Sequence, residues 1–157
     1  MNVLYIVIGS VVGLLIGGYL MIPFLGREKG QREYGQDMDF LPVPESPNCV
    51  MSTLDSDHEK HVSPLEIPET QYDTAIGFIK DIMVTDFGAQ VLYDNDHYLH
   101  TTVQTSLMRY VDDVEFIWDQ EKQILHVRSC SRLGHNDMGA NRARVEQIRD
   151  RISQRSK

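Results

Sequence analysis

Residues 98–149 read YLHTTVQTSLMRYVDDVEFIWDQEKQILHVRSCSRLGHNDMGANRARVEQIR, and this stretch decides the fold. Apolar and polar residues alternate along three segments of it, which predicts three β-strands, and a helical period follows them. Consecutive strands that lie between helices, instead of alternating with them, indicate an antiparallel meander. The chain is therefore expected to be α+β, with an antiparallel sheet of about four strands flanked by two helices and preceded by one transmembrane helix.

The alternation predicts which side chains share a face of this sheet. The inward residues are Leu99, Thr101, Val103, Thr105 and Leu107 in the first strand, Val114, Phe116 and Trp118 in the second, and Leu125 and Val127 in the third. We expect Phe116 to face Leu125 across a four-residue loop, 119–122, and Val114 to face Val127. The other face is expected to be wet.

The same register predicts a polar surface on that second face. It sets Asp113 across from Arg128 and Glu115 across from His126, and the preceding strand adds His100, Gln104 and Ser106. Opposed charges on neighbouring strands stabilise a sheet by roughly 0.2–1 kcal/mol per pair. A structural or partner-binding surface is therefore favoured over a catalytic one.

Two helices are expected to cover the inner face. The first spans 71–84, with Thr70 as its cap, and its apolar stripe is Tyr72, Ala75, Ile76, Ile79, Ile82 and Met83. A short strand at 89–93 follows it. The second helix spans 138–153 and its stripe is Met138, Val145, Ile148 and Ile152, with Asn141 on the same side and Arg142, Arg144, Arg151 and Arg155 mostly outside.

The N-terminal segment 1–26 contains no charged residue and is expected to be a retained transmembrane anchor. Basic residues follow it at once, at Arg27, Lys29 and Arg32, which predicts a cytoplasmic domain, with the exported side as the alternative. Inside the segment, Gly9, Gly13 and Gly17 share one helix face. This spacing is typical of helices that pair in lipid, so a homo-oligomer is one expected state.

Residues 27–70 are expected to be an extended linker to a domain at 71–157, because they are polar and carry five of the prolines. His58 and His61 lie among acidic residues, but no further convincing ligand accompanies them, so neither a metal site nor a cofactor is predicted. Cys49 and Cys130 could pair in an exported domain and would stay thiols in a cytoplasmic one. A buried structural thiol is favoured over a nucleophile for Cys49.

The loop before the last helix is the candidate ligand-binding site. The candidate residues are Asp112, Asp113, Arg128, Arg132, His135, Asn141 and Arg142. Arginines beside a helix N-terminus favour an anionic ligand. Asp137 is expected to act as a structural cap and to occupy those amides itself, in which case the arginines pair with Asp112 and Asp113. A third interpretation is catalysis with His135 or His126 as general base.

Several motifs in this stretch are similar to those of the family catalogued as domain of unknown function 1499. They are SPNCV (46–50), RYVDDVEF (109–116), VRSCSRLG (127–134) and the closing pair Asn141-Arg142. The resemblance covers roughly residues 40–150. Cys130 stands where the family has a small residue, which implies that its thiol is incidental. The family has no established activity, so the resemblance implies a fold and a domain extent only.

Composition excludes one broad class of function. The chain has 15 basic and 23 acidic residues, a net charge of −8, and an isoelectric point of about 5.1, so nucleic acid is not an expected partner. Basic residues predominate from His126 onward, which favours a solvated helix face, and a membrane surface, an anionic ligand or an acidic protein partner at that end is the alternative. The leading hypothesis is a membrane-anchored accessory domain that binds a ligand or partner. The alternatives are a hydrolase-like enzyme that uses the 128–142 loop and a structural oligomer held by the glycine face.

Overall fold

A computed structural model describes residues 3–25, 39–105 and 109–156 of the chain. Its helices are α1 (Val3–Leu25), α2 (Ala75–Phe87) and α3 (Ala140–Arg155), and a short 3₁₀ helix (Glu69–Thr74) leads into α2. Its strands are β1 (Cys49–Met51), β2 (Leu65–Glu66), β3 (Gln90–Asp94), β4 (Tyr98–Gln104), β5 (Val111–Asp119) and β6 (Ile124–Ser131). The predictions for Ser106 and Leu107 lie outside the described residues.

The strands of the described chain form one antiparallel sheet in the order β1-β6-β5-β4-β3, and β2 pairs with β6 on the same side as β1. The α+β class and the antiparallel meander are confirmed. The expected number of about four strands was too low, because residues 39–105 and 109–156 contain six. The two that the sequence did not reveal contain only three and two residues, which is too short for an alternating pattern to be visible.

Both domain helices pack on one face of the sheet and form the core with it. The core cluster contains Val50, Leu65, Ile67, Ile76, Ile79, Ile82, Met83, Leu99, Val114, Phe116, Trp118, Leu125, Val127, Val145, Ile148 and Ile152, among others. Five of the six residues of the predicted stripe are buried on α2, and the inward position of Asn141 on α3 is confirmed. The predicted start of α2 was wrong, because the helix begins at Ala75 after Thr74, and Tyr72 lies in the 3₁₀ helix before it. Two predictions for α3 were wrong. Met138 is 97% exposed and precedes the helix, whereas Arg144 is buried.

The predicted register of the β5–β6 hairpin was wrong by two residues. Phe116 pairs with Val127, and Glu115 pairs with Arg128. The loop has the predicted length of four residues but lies one position later, at 120–123, where Gln123 takes a positive φ of 56°. A shift of two residues preserves the face of every side chain, so Asp113 and Arg128 still share a face.

Part of the expected linker belongs to the folded domain. Both β1 and β2 fall between residues 27 and 70, and Val50, Leu65 and Ile67 from the same stretch are buried in the core. Residues 27–38 lie outside the described part of the chain. The prolines of this region therefore separate short paired segments, and the structure places the beginning of the sheet well before residue 71.

The N-terminal segment forms the helix α1, 23 residues long. Within the part of the chain that the structure describes, no helix is both long and apolar enough to cross a membrane. The transmembrane assignment of 1–26 is therefore not supported.

A disulfide joins Cys49 of β1 to Cys130 of β6. The two residues are direct partners in the strand pairing, and their Cα atoms are 4.1 Å apart. The thiol of Cys130 is therefore not incidental, contrary to what the resemblance implied. The bridge links the three-residue edge strand β1 to β6, the strand beside it.

Candidate functional site

The face of the sheet opposite the helices carries a cluster of buried ionisable side chains, which we call the polar face. Its members are Tyr98, His100, Asp113, Glu115 and Arg128, all less than 9% exposed, together with the partly buried Arg132 that follows β6. They lie together because strand positions alternate between faces and because Glu115 is the direct partner of both His100 and Arg128. The expectation that this face is exposed to solvent was wrong.

Glu115 accepts hydrogen bonds from two other residues of the polar face, Arg128 and Tyr98. Its Oε2 accepts a hydrogen bond from Arg128 Nη1 at 2.5 Å, and its Oε1 accepts one from the hydroxyl of Tyr98 at 2.5 Å. Arg128 is not fully satisfied, because its Nε is buried without a partner. Glu115 and Arg128 therefore form a buried ion pair. Replacing only one of them is expected to destabilise the domain by several kcal/mol, because the remaining charge would be buried without a partner.

Asp113 pairs with the remaining two residues of the polar face, His100 and Arg132. His100 Nε2 lies 2.7 Å from its Oδ1, and Arg132 donates to both carboxylate oxygens, from Nε at 2.9 Å and from Nη2 at 2.7 Å. Burial on its own would raise the pKa of Asp113, but the hydrogen bonds from His100 and Arg132 outweigh it and hold the pKa below the usual 3.8. Asp113 therefore stays ionised at neutral pH.

A second buried cluster, the helix-side cluster, joins α3 to β5 and β6. Arg144 Nη2 donates to Asp112 Oδ2 at 2.5 Å, and Arg144 Nη1 donates to Ser129 Oγ at 3.0 Å and to Asn141 Oδ1 at 2.7 Å. The other oxygen of Asp112, Oδ1, is buried without a partner. Asp112 and Asp113 are adjacent in a strand, so they point to opposite faces and belong to different clusters.

The loop between β6 and α3 uses its polar side chains to begin the helix. Asp137 accepts hydrogen bonds from the backbone amides of Gly139, at 3.1 Å, and Asn141, at 2.7 Å. Met138 and Gly139 have positive φ values of 53° and 80°, so the chain makes a sharp turn before α3. His135 is exposed, and within the described residues its ring has no hydrogen-bond partner.

An open pocket of about 230 Å³ lies between this loop and the segment around β1. Its lining residues are Pro47, Cys49, Val50, Glu59, Lys60, Asn136, Asp137, Gly139 and Arg142. Both cations in it have structural partners. Lys60 Nζ donates to the carbonyls of Pro44 and Glu45, and Arg142 donates to those of Glu59 and His61. Among the described residues there is no group of three His, Cys, Asp or Glu side chains that could hold a metal ion.

The segment before β1 is tied to the start of α3 through one asparagine. Asn48 Nδ2 donates to the carbonyl of Gly134 at 2.6 Å, and the Asn48 carbonyl accepts from Asn141 Nδ2 at 2.9 Å. A family model, described as Protein of unknown function (DUF1499), matches residues 39–152. The chain belongs to this family. No curated protein and no solved structure matches the chain.

The family match covers the strands, α2 and nearly all of α3, so the clusters described above all lie inside the DUF1499 domain. The motifs that the sequence comparison associated with the family meet in space, because Asn48, Gly134 and Asn141 come from three of them. These contacts, of which the Asn141–Asn48 bond is buried and the Asn48–Gly134 bond partly buried, join the three segments. The family description assigns them no activity.

The candidate ligand-binding residues do not form one site. Asp113, Arg128 and Arg132 lie on the polar face, and Asp112 and Asn141 lie in the helix-side cluster. Arg142 borders the pocket, and His135 is exposed in the loop. A ligand for any of these residues stays a prediction.

Sequence reasoning missed Arg144 and Ser52, both of which the structure places in buried contacts. Arg144 was recognisable, because it is three residues after Asn141 and four before Ile148, on the apolar stripe of α3. Ser52 was not recognisable, since its neighbours His126 and Val127 are more than 70 residues away in the sequence.

Proposed function

We propose that this chain is a membrane-tethered accessory domain that binds a ligand or partner on the exported side of the membrane. The observation that carries the proposal is a contrast within the molecule. The DUF1499 domain buries most of its large apolar side chains in one core and exposes only scattered ones such as Leu92 and Met138, whereas α1 exposes a continuous set that includes Tyr5, Leu14 and Leu15, by 69%, 77% and 68%.

The tether follows from the chemistry of α1. Positions 1–26 carry no charged side chain. Moving one large aliphatic side chain from water into an apolar medium lowers the free energy by roughly 1.5–3 kcal/mol. A helix that is apolar all round needs an apolar medium on every side. A lipid bilayer provides one.

The choice of the exported side follows from the disulfide. Three basic residues after α1, Arg27, Lys29 and Arg32, favour the cytoplasmic side. The Cys49–Cys130 disulfide favours the opposite side, because such bonds persist in oxidising compartments and are rare in the cytosol. We give the disulfide more weight, since the two cysteines are direct cross-strand partners.

A binding role is favoured over a hydrolase that uses the 128–142 loop. Arg128 and Arg132 are engaged by Glu115 and Asp113, and Asp137 is engaged by the helix amides. His135, the histidine of that loop which could act as a base, has no hydrogen-bonded carboxylate within the described residues. The pocket beside Asn136 and Arg142 is lined largely by polar residues, and its volume of about 230 Å³ admits a small polar ligand.

Flotation with lipid vesicles tests the tether. The full-length protein should float with vesicles of neutral phospholipid, and Leu15→Asp should reduce the floated fraction at least tenfold. Leu92→Asp is the matched control, because Leu92 is also exposed but lies on β3. Equal flotation of wild type and Leu15→Asp would show that α1 is not the tether.

Protease protection tests the side. In intact cells or spheroplasts, an added protease should degrade an exported domain and spare a cytoplasmic control protein. Full protection of the domain would assign it to the cytoplasm and would contradict the proposed side.

A further inference from the structure

Ser52 and His126 form a hydroxyl–imidazole pair beside the junction between β1 and β2. β1 pairs with β6 as far as Arg128, and β2 pairs with it again only at Leu125, so the ladder is interrupted at His126 and Val127. Ser52 follows β1 directly, and its Oγ lies 3.3 Å from His126 Nδ1. The pair belongs neither to the 128–142 loop nor to the pocket described above.

The hydrogen bonds around Ser52 determine where its proton points. Its backbone N–H donates to the carbonyl of Val127 at 2.9 Å, and the N–H of Val127 donates to Ser52 Oγ at 2.8 Å. Because Oγ already accepts this bond, its own hydrogen is free to be donated to His126 Nδ1. This arrangement requires the tautomer of His126 that carries its hydrogen on Nε2.

His126 is partly buried and can accept that proton. Burial lowers the pKa of His126 below 6.5, Asp119 raises it and Lys122 lowers it, and the net shift is downward. The imidazole is therefore neutral at neutral pH, which is the form that acts as a base. Asp119, two residues beyond Ile117, the partner of His126, is the carboxylate that would stabilise the imidazolium.

We propose that Ser52 is a nucleophile and His126 its general base in the hydrolysis of small esters. The proposal goes beyond the binding role and does not depend on it. A serine within hydrogen-bond reach of a histidine, with a carboxylate nearby, is the arrangement that activates a hydroxyl for acyl transfer, and the distance is commonly longer before substrate binds.

The reaction balances with ester and water alone. Ser52 Oγ attacks the ester carbonyl carbon while His126 Nδ1 takes the hydroxyl proton. The tetrahedral intermediate collapses, the alcohol leaves with that proton from His126, and an acyl-serine remains. Water, deprotonated by His126, then attacks the acyl-serine and releases the carboxylic acid and the free Ser52 hydroxyl. The amide of Thr53, the residue after the nucleophile, donates to no group within the described residues and is available to the oxyanion.

Ser52 is only 6% exposed, so only a small acyl group could reach its Oγ. The neighbouring carboxylate Asp119 is held by the backbone N–H of Lys122 at 2.9 Å and by its Nζ at 2.8 Å. Its negative charge disfavours an anionic acyl group, so a short, uncharged one such as acetyl is the expected substrate.

Covalent labelling tests the proposal on the full-length protein in detergent. A fluorophosphonate probe should label Ser52, as located by peptide mass spectrometry, and p-nitrophenyl acetate should be hydrolysed with a burst. His126→Gln, which leaves the serine in place, should slow labelling by about 100-fold, the usual contribution of a general base. Ser52→Ala should abolish it.

Matched variants exclude effects on the fold. Ser63→Ala and His97→Gln replace an exposed serine and an exposed histidine and should label at the wild-type rate. Circular dichroism identifies the variants that remain folded. Absence of label on folded wild-type protein, label on another serine, or wild-type labelling of a folded His126→Gln variant would each overturn the proposal. Vesicle flotation would be unaffected by any of these outcomes.

Discussion

Arg144 of α3 and Asp112 of β5 form a buried ion pair, with Nη2 2.5 Å from Oδ2 and side-chain exposures of 8% and 1%. The pair joins the last helix to the middle of the sheet. Because Asp112 Oδ1 has no hydrogen-bond partner, the charge of the carboxylate depends on this single arginine. Removal of either partner leaves a buried charge without compensation.

Arg144→Met should therefore lower the free energy of unfolding by about 3–5 kcal/mol. The double variant Asp112→Leu/Arg144→Met should recover most of that loss, since an apolar pair of similar volume replaces a buried ion pair at little cost. Urea unfolding of the three proteins measures both effects. Arg151→Met is the control, because Arg151 is half exposed and lies 3.9 Å from Asp86. Equal stability of Arg144→Met and Arg151→Met would show that the pair is dispensable.

The faces of the strands were predictable from the sequence, but the burial of the polar face was not. Side chains alternate between the two faces of a strand, so Val114 and Phe116 lie on one face and Asp113 on the other in any register. The error of two residues in the predicted pairing therefore left these assignments correct. Burial of Glu115 and Arg128 depends on their meeting each other, and a one-dimensional pattern reads isolated charges as solvent-facing. The pairing of β1 with β6 was also hidden, because three residues are too few to show a period.

Asp137→Ala should cost about 1 kcal/mol of stability, because the amides of Gly139 and Asn141 lose their acceptor. Thermal unfolding followed by circular dichroism measures this change. Asp150→Ala, an exposed substitution on α3, should stay within about 0.5 kcal/mol of wild type. If Asp137→Ala keeps full stability, the carboxylate does not act as a cap.

The double variant Cys49→Ala/Cys130→Ala should be less stable than the oxidised protein by about 4–5 kcal/mol. The bridge spans 81 residues of sequence, and the chain-entropy model assigns roughly this value to a loop of that length. Urea unfolding with and without reductant gives the comparison, and the reductant should have no effect on the variant. Two titratable thiols in the untreated native protein would contradict the disulfide and, with it, the proposed exported side.

The glycine face of α1 gives a prediction about self-association. A side chain added at Gly9, Gly13 or Gly17 would meet no atom of the described chain, so this face is open to a second helix. Gly13→Ile should reduce crosslinked dimer in membranes, because a branched side chain holds paired backbones apart. Gly18→Ile lies off this face and serves as the control. The same dimer yield from both variants would exclude the glycines as an interface.

Protonation of Asp113 is expected to lower the stability of the domain at acid pH. Its folded pKa is lowered below 3.8, so its ionised form is stabilised by folding. That contribution is present above pH 3.8 and is lost as the pH falls through the folded pKa, because the unfolded chain then binds more protons than the native one.

Asp113→Asn should therefore be less stable than wild type at pH 7, and the difference in stability between the two proteins should narrow below pH 3.8. Asp119→Asn is the matched control, since Asp119 also has a lowered pKa but is partly exposed and pairs with an exposed lysine, so solvent screening leaves little effect on stability. Urea unfolding at pH 7, 5, 4, 3 and 2 measures the three curves, and parallel curves for wild type and Asp113→Asn would show that the contacts of Asp113 with His100 and Arg132 do not stabilise its charge.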